Sequence, residues 1–287
     1  MENIEKNKVS GGALYLVGTP IGNLMDMTER AKKVLADVDF IAAEDTRNTA
    51  KLLSVFGIKN ELVSYHEHNR RESGARIVAR LLSGESCALV TDAGMPAISD
   101  PGEDLVRLCA EAELSVMVVP GPSAVVSALA LSALSTARFA FEGFLPPKAN
   151  DRKRRLEAVA HDDRTLVFYE APHKLCDTLS DMMQIFGENR KISLSRELTK
   201  LNEETLRMSL GEAVRYYKDT QPRGEYVLVL EGGDGITDDG GASERRGLTP
   251  ALLVAYYEGE GLSHKDAIKA AAKERGMTKS EFYKLLL

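Results

Sequence analysis

Three segments of this 287-residue chain place glycine, proline and polar side chains directly after short apolar runs. They are VGTPIGNL (17–24), TDAGMPAISDPG (91–102) and VPGPSAV (119–125). Glycine lets backbone come close to a bound molecule, and proline fixes a loop's path at low entropic cost. The carboxylates of Asp92 and Asp100 can accept from hydroxyl or ammonium donors. Ser123, at the start of a helical run, can bond a ligand or cap the helix. Any one of these loops also fits ordinary turn chemistry, but three on one edge of one sheet point to a small-molecule pocket. A phosphate-binding loop is excluded, because GxxxxGK[ST] is absent. The dinucleotide fingerprint is absent too, since GTPIGN has glycine only at its first and fifth positions.

Titratable groups stand at other strand ends: Asp26, Glu44, Asp45, His66 and Glu170. The most suggestive stretch is AAEDTRN, where two carboxylates follow an apolar strand and Arg47 comes next. Glu44 and Asp45 are the candidates for acid–base work, and Arg47 for a phosphate. The competing reading makes Asp45 the cap of the next helix. His66 and His68 in YHEHN titrate near neutrality, but a third metal ligand is not evident, so no metal is expected. Two basic clusters could meet RNA phosphates: Arg70 and Arg71, and then Lys148, Arg152, Lys153, Arg154 and Arg155. A solvated helix face is the alternative for both.

The elements that must position these groups are legible. ALYLVG, DFIAAED, ELVSYH, SCALVTD and LSVMVVPG read as strands, separated by amphipathic stretches that read as helices. That alternation predicts a mostly parallel sheet with helices on both faces. From about residue 138 the rhythm changes. RTLVFYEAP, KISLSREL, ETLRMSL and GEYVLVLEG read as strands with less helix between them, which predicts a mixed sheet. The expected organisation is a flexible arm (1–12), a first α/β domain (13–137), a second, mixed α/β domain (138–231), a glycine-rich linker (232–247) and a helical module (248–287). In that module three helices begin near Pro250, Ser263 and Thr278, punctuated by Gly259, Gly261 and Gly276, with a helix-turn-helix character in the last two.

Composition bounds the partners. A net charge of −6 argues against a uniformly basic nucleic-acid binder, though not against a local patch. Cys87, Cys109 and Cys176 are odd in number and widely spaced, which suits reduced thiols in a cytoplasmic protein. The chain's first residues lack an apolar targeting core, and no apolar run approaches a membrane span.

The segments LYLVGTPIGNLMDMTERAKKVL, IAAEDTR, SYHEHN, VTDAGMPAISDPG, VPGPSA, GFLP and YEAPH together resemble the RsmI family, within the tetrapyrrole-methylase superfamily. The resemblance runs in order from about Leu14 to Glu231, and the C-terminal helical module is also similar. It implies two α/β domains with S-adenosylmethionine in the cleft between them, and a homodimer. It further implies 2′-O-ribose methylation of a decoding-centre cytidine, the 1402 site, of 16S rRNA in the assembled 30S subunit. Carried over to this sequence, the cofactor contacts would be Pro20, Thr91, Asp92, Ala93, Gly94, Pro96, Ile98, Ser99, Asp100, Ser123 and Ala124. The second domain would add Phe144, Leu145, Tyr169, Glu170, Ala171 and Gly224. The wider superfamily typically has GxGPG in the first loop and Gly-Asp-Pro in the second. Here the first loop is GTPIGN, and Met95 stands where the aspartate would be, which fits the rRNA branch.

Such a transfer is an in-line displacement from an already activated methyl, so the protein mainly supplies positioning and electrostatics. A tetrapyrrole C-methylase is the alternative enzyme, and would need a macrocycle pocket instead of an RNA surface. A cofactor-sensing regulator is the non-enzymatic alternative, disfavoured by Glu274 and Glu281 among the bases of the terminal helices.

Overall fold

The computed structural model describes residues 8–233, 248–275 and 277–286. The expected linker falls mostly outside them, as do Gly276 and the first seven residues of the expected arm. The chain forms two compact units, one reaching Gly233 and the other carrying the C-terminal helices.

The first unit holds two five-stranded sheets. In the leading half, β1 (Ala13–Val17), β2 (Phe40–Ala43), β3 (Glu61–Ser64), β4 (Cys87–Val90) and β5 (Ser115–Val119) are all parallel, in the order β3-β2-β4-β1-β5. Helices α1 (Glu29–Asp37), α2 (Thr46–Val55), α3 (Arg70–Leu82) and α4 (Glu103–Glu111) connect them. β2 and β4 are buried along their whole length, which is why they read as unbroken apolar runs. One core joins Tyr15, Ile41, Ala88 and Val90 to Ala31, Val34 and Leu35 of α1; another joins Leu14, Phe40 and Leu89 to Ile77, Leu81, Leu105 and Cys109. Thr28 starts α1 by accepting from the Ala31 amide.

The trailing half is mixed, in the order β6-β7-β10-β8-β9. These strands are β6 (Phe139–Phe144), β7 (Thr165–Glu170), β8 (Lys191–Arg196), β9 (Glu204–Ser209) and β10 (Tyr226–Leu230). β6 pairs parallel to β7, and the other pairings are antiparallel. Helices α6 (Ala149–Ala158), α7 (Leu175–Phe186) and α8 (Leu210–Asp219) cover one face. β6 and α6 arise from the stretch ARFAFEGFLPPKANDRKRR, which sequence periodicity left unassigned. Gly143 and the register shift beside it interrupt the strand pattern, and the polar run of α6 hides its buried Leu156.

Helix α5 (Ala124–Leu131) locks the halves together. It follows β5 of the first sheet, yet its Val125, Ala128 and Leu129 pack on Val167, Val227 and Val229 of the second. The C-terminal helices (Pro250–Gly259, His264–Glu274 and Lys279–Tyr283) bury Leu253, Ile268, Ala271 and Phe282 among themselves. Thr249, Ser263 and Thr278 each cap the following helix through the side-chain oxygen. Among the described residues no helix is long and apolar enough to cross a membrane.

Candidate functional site

The three glycine- and proline-rich loops leave the carboxyl ends of β4, β1 and β5, which are adjacent strands. From β1 the chain crosses one way to β2, and from β4 it crosses the other way to β5, so these loops surround a topological switch point. They are bound to one another through backbone. Thr19 and Gly94 exchange both amide–carbonyl hydrogen bonds, at 2.9 and 3.1 Å, and the Gly18 amide donates to the Val119 carbonyl at 3.1 Å. A methyl group on Gly18 would lie 2.7 Å from the Gly121 Cα and from the Met95 sulfur, so only glycine fits there.

A cavity of about 450 Å³ opens between these loops and the trailing sheet. Ala93, Gly94, Met95, Ile98, Ser99, Asp100, Ser123 and Ala124 line it from the leading half. From the trailing half come Phe144, Tyr169, Glu170 and Ala171. Tyr169 contacts both Phe141 and Phe144, with ring centroids 5.0 and 5.3 Å away, and supplies an aromatic wall. Ser123 makes no side-chain cap bond to α5 and lines the cavity. Glu170 is buried with both oxygens engaged, accepting from the Ala171 amide at 2.8 Å and the Thr178 hydroxyl at 2.5 Å. It therefore holds the β7–α7 turn in shape.

Asp100 is the electrostatic centre of the cavity. Burial pushes its carboxyl up to about 6, and the neighbouring Glu44 and Asp92 charges add to the rise. The nearby Thr91 hydroxyl, whose proton goes to Glu44 Oε2 at 2.6 Å, partly offsets it. Burial also raises the Tyr169 phenol, to about 12, with help from the Asp100 charge. A half-buried carboxylate whose neighbouring charges, Glu44 and Asp92, are acids is suited to a cationic ligand.

The structure divides the expected contacts. Pro20, Thr91 and Asp92 line a separate cleft on the α2 side of the first loop, not the main cavity. Pro96 is not among the cavity's lining residues, Leu145 is buried in the core of the trailing half, and Gly224 packs against the Glu197 side chain. Those five loop positions and Leu145 thus stand outside the lining of the main cavity.

Asp45 takes the capping role. Its side chain accepts from the Arg47 amide at 2.8 Å and pairs with the Arg47 guanidinium at 2.7 Å, which holds its carboxyl well below the usual range. Arg47 pairs with Asp45 through Nε and Nη2 while its side chain stays exposed. Glu44, bonded to Thr91, is the member of the pair directed toward the loops.

The larger basic cluster is mostly neutralised within the protein. Arg152 is buried and bonded to Asp181 at 2.8 Å, Lys153 reaches Asp181 at 3.4 Å, Arg154 pairs with Asp151, and Arg155 with Glu142. Arg152 therefore cannot meet a phosphate. Arg70 lies 3.7 Å from Asp104. Arg71 and Lys148 have no ion pair among the described residues.

Sequence reasoning missed the cavity wall made by Glu197, Leu198 and Lys200, and by Glu225, Tyr226 and Val227. One signal lies in the backbone. Of six non-glycine residues with positive φ among those described, Ala97, Ser99, Glu197 and Thr199 fall on the two loops facing this cavity. Strained conformations concentrate at ligand sites. Nothing in RELTK marks them beforehand, because neither glycine nor asparagine occurs there.

The model of the Tetrapyrrole (Corrin/Porphyrin) Methylases matches residues 13–214. Curated relatives carry the name Ribosomal RNA small subunit methyltransferase I. The one from Halalkalibacterium halodurans is 47% identical over 96% of this chain and 94% of its own length. The one from Escherichia coli O157:H7 is 44% identical over 97% and 96%. Among solved structures, the chain superimposes on uroporphyrin-III-C-methyltransferase from Thermus thermophilus with a TM-score of 0.55, at 20% identity, over 77% of this chain and 94% of that one. A conserved hypothetical protein from Aeropyrum pernix K1 gives 0.60 at 18% identity, over 77% and 85%. The structural likenesses speak to the fold alone, and the sequence relatives to the branch. Accordingly, the chain belongs to the tetrapyrrole (corrin/porphyrin) methylase family and, within it, to the RsmI group of small-subunit ribosomal RNA methyltransferases.

Proposed function

We propose that this chain transfers a methyl group from S-adenosylmethionine to a ribose 2′-hydroxyl of 16S rRNA within the 30S subunit, at the decoding-centre cytidine implied by the RsmI resemblance. The observation that carries the reading is the main cavity: a carboxylate, Asp100, set among backbone turns and faced by an aromatic wall. The residues suit the donor, which is cationic and part aromatic. Asp100 would face its positive charge, Tyr169 and Phe144 its flat or apolar parts, and the Ser123 hydroxyl a polar group. When bound, the donor supplies an activated methyl group, and no protein nucleophile is needed.

The chain's own residues then have three tasks. The pinned loops around Thr19, Gly94 and Gly121 hold a fixed cavity, so alignment does not have to be created during the reaction. The two halves wall the cavity from opposite sides and so orient what enters it. Proton removal from the attacking hydroxyl falls to Glu44, which is held beside Asp100 through Thr91. Asp45, occupied by the helix cap and Arg47, is not needed for that step.

The named activity of the relatives, at 43–47% identity over nearly the full length, supports an RNA substrate over a macrocycle. The exposed apolar side chains of the edge strand β5 (Met117 and Val118) and of α5 (Val126 and Leu131) support a homodimer. A cytoplasmic location follows from the ribosomal substrate.

The test is methyl transfer from labelled S-adenosylmethionine to purified small subunits, by the parent chain, Glu44→Gln and Asp45→Asn. The expected result is activity in the parent, a drop of about 100-fold in kcat for Glu44→Gln, and near-parent kcat for Asp45→Asn. Parent-level turnover by Glu44→Gln would remove it as the base, and no transfer by the parent would overturn the reading.

A further inference from the structure

The first loop is a wall with two sides. Ile21 faces the main cavity, whereas Pro20, Gly22 and Leu24 line a second cleft of about 280 Å³. The far side of this cleft is helix α2, through Asn48, Lys51, Leu52 and Val55. The two clefts share one strand end: Thr91 and Asp92 line the second, and the next residues, Ala93 and Gly94, line the first. The wall is held in place at both ends. Thr19 is paired to Gly94 by backbone, and at Gly22 an added methyl group would lie 2.5 Å from Lys200 Cγ of the trailing half.

We propose that this second cleft seats the RNA nucleotide that flanks the methylated one. The inference rests on the RNA-methylation reading above and names a subsite for it. Three kinds of group meet there, as nucleotide binding requires. Lys51 is exposed and has no carboxylate within ion-pair distance among the described residues, so its charge is available to a phosphate. Asn48 Nδ2 donates to Asp92 Oδ2 at 2.9 Å, which leaves the Asn48 carbonyl and the second Asp92 oxygen to accept from amino or hydroxyl groups. Leu24, Leu52 and Val55 offer apolar surface for a base or sugar, and Leu24 and Val55 are exposed without a covering element. The cleft is smaller than the roughly 300–1,000 Å³ of small-molecule pockets, which suits one nucleotide and not a second donor molecule. An RNA strand crossing the wall at Ile21 and Gly22 would present one ribose to the main cavity and lay its neighbour here. The position also accounts for a cation that sequence inspection passed over: Lys51 is isolated in sequence, whereas the conspicuous run at 152–155 is tied up by Asp181, Asp151 and Glu142.

The experiment compares parent, Lys51→Glu, Val55→Glu and, as a charge-matched control, Lys218→Glu, an exposed position on α8 that lines neither cleft. Binding of S-adenosylmethionine is measured by calorimetry, and methyl transfer to purified small subunits is measured as KM and kcat at two salt concentrations. The expected result is donor affinity within twofold of the parent for all variants. KM for subunits should rise by roughly tenfold in Lys51→Glu and Val55→Glu and less than twofold in Lys218→Glu. A weaker salt dependence of KM in Lys51→Glu than in the parent would accompany this. Unchanged KM in both cleft variants overturns the inference, and so does a parallel loss of donor affinity, which would assign the cleft to the cofactor. If the parent itself binds no donor or methylates no subunit, the underlying reading fails, and that result is read before any variant is considered.

Discussion

Asp100 couples the cavity to pH. Its carboxyl, lifted from 3.8 to about 6 chiefly by burial, makes the folded protein relatively more stable when protonated. That contribution is full below about pH 4 and is lost as pH rises through about 6. Because the carboxyl retains some solvent contact, the full shift is discounted, leaving roughly 1–2 kcal/mol. Asp100→Asn, which mimics the neutral form, should therefore match the parent near pH 4 and exceed it at pH 7 by that amount in denaturant titrations. Ligand binding should show the opposite dependence. A cationic donor favours the charged carboxylate, so affinity should weaken as pH falls below about 6, and Asp100→Asn should bind weakly at every pH from 5 to 8 by calorimetry. Equal pH dependence in parent and variant would show that another group carries the effect. Asp100 was readable in the sequence as a carboxylate in a rigid loop. Its depth was not, because burial depends on Tyr169 and the trailing sheet, which are distant in the chain.

Helix α6 shows where local pattern misleads. Its run DRKRR looks like a phosphate-binding face, yet the helix turns Arg152 inward onto Asp181 of α7, with Leu156 one turn on. Helical spacing allows one charged side chain of a run to face the core, and only the partner's position shows which one. Removing one member of a buried pair leaves an uncompensated charge. Asp181→Ala should therefore cost about 3 kcal/mol in equilibrium unfolding, whereas Arg154→Ala, at an exposed pair, should cost less than about 0.5 kcal/mol. Similar losses in the two variants would mean that Arg152 is hydrated in solution. The parallel sheet, by contrast, was legible strand by strand. Buried parallel strands write themselves as compact apolar runs, and their glycine and proline loops punctuate them. β6 was not legible, since its sequence FAFEGF carries a register shift at Gly143 and neither of its faces is fully buried.

At the scale of the whole molecule, α5 makes one unit of two sheets, and its remaining surface is apolar. The side chains of Met117, Val118, Val126 and Leu131 are exposed, 38–52% of each being accessible. If this face is the dimer contact proposed above, Val126→Asp should shift the protein to monomer in sedimentation velocity without loss of secondary structure; an unchanged dimer would place the contact elsewhere. The order of the loops and the presence of a cavity between the halves could be inferred from the chain, given the resemblance. The contributions of Glu197, Leu198 and Lys200 could not, because the backbone strain that turns this loop inward at Glu197 and Thr199 has no residue signature.

Delivery of a methyl group to an RNA sugar from a donor held between the halves is tested most directly by nucleoside mass spectrometry. Small subunits are incubated with the full chain and S-adenosylmethionine carrying a deuterated methyl group, and their RNA is digested to nucleosides. Deuterium is expected in 2′-O-methylcytidine and in no other nucleoside. Label on a base carbon or nitrogen, or none at all under conditions where the donor is bound, would contradict it.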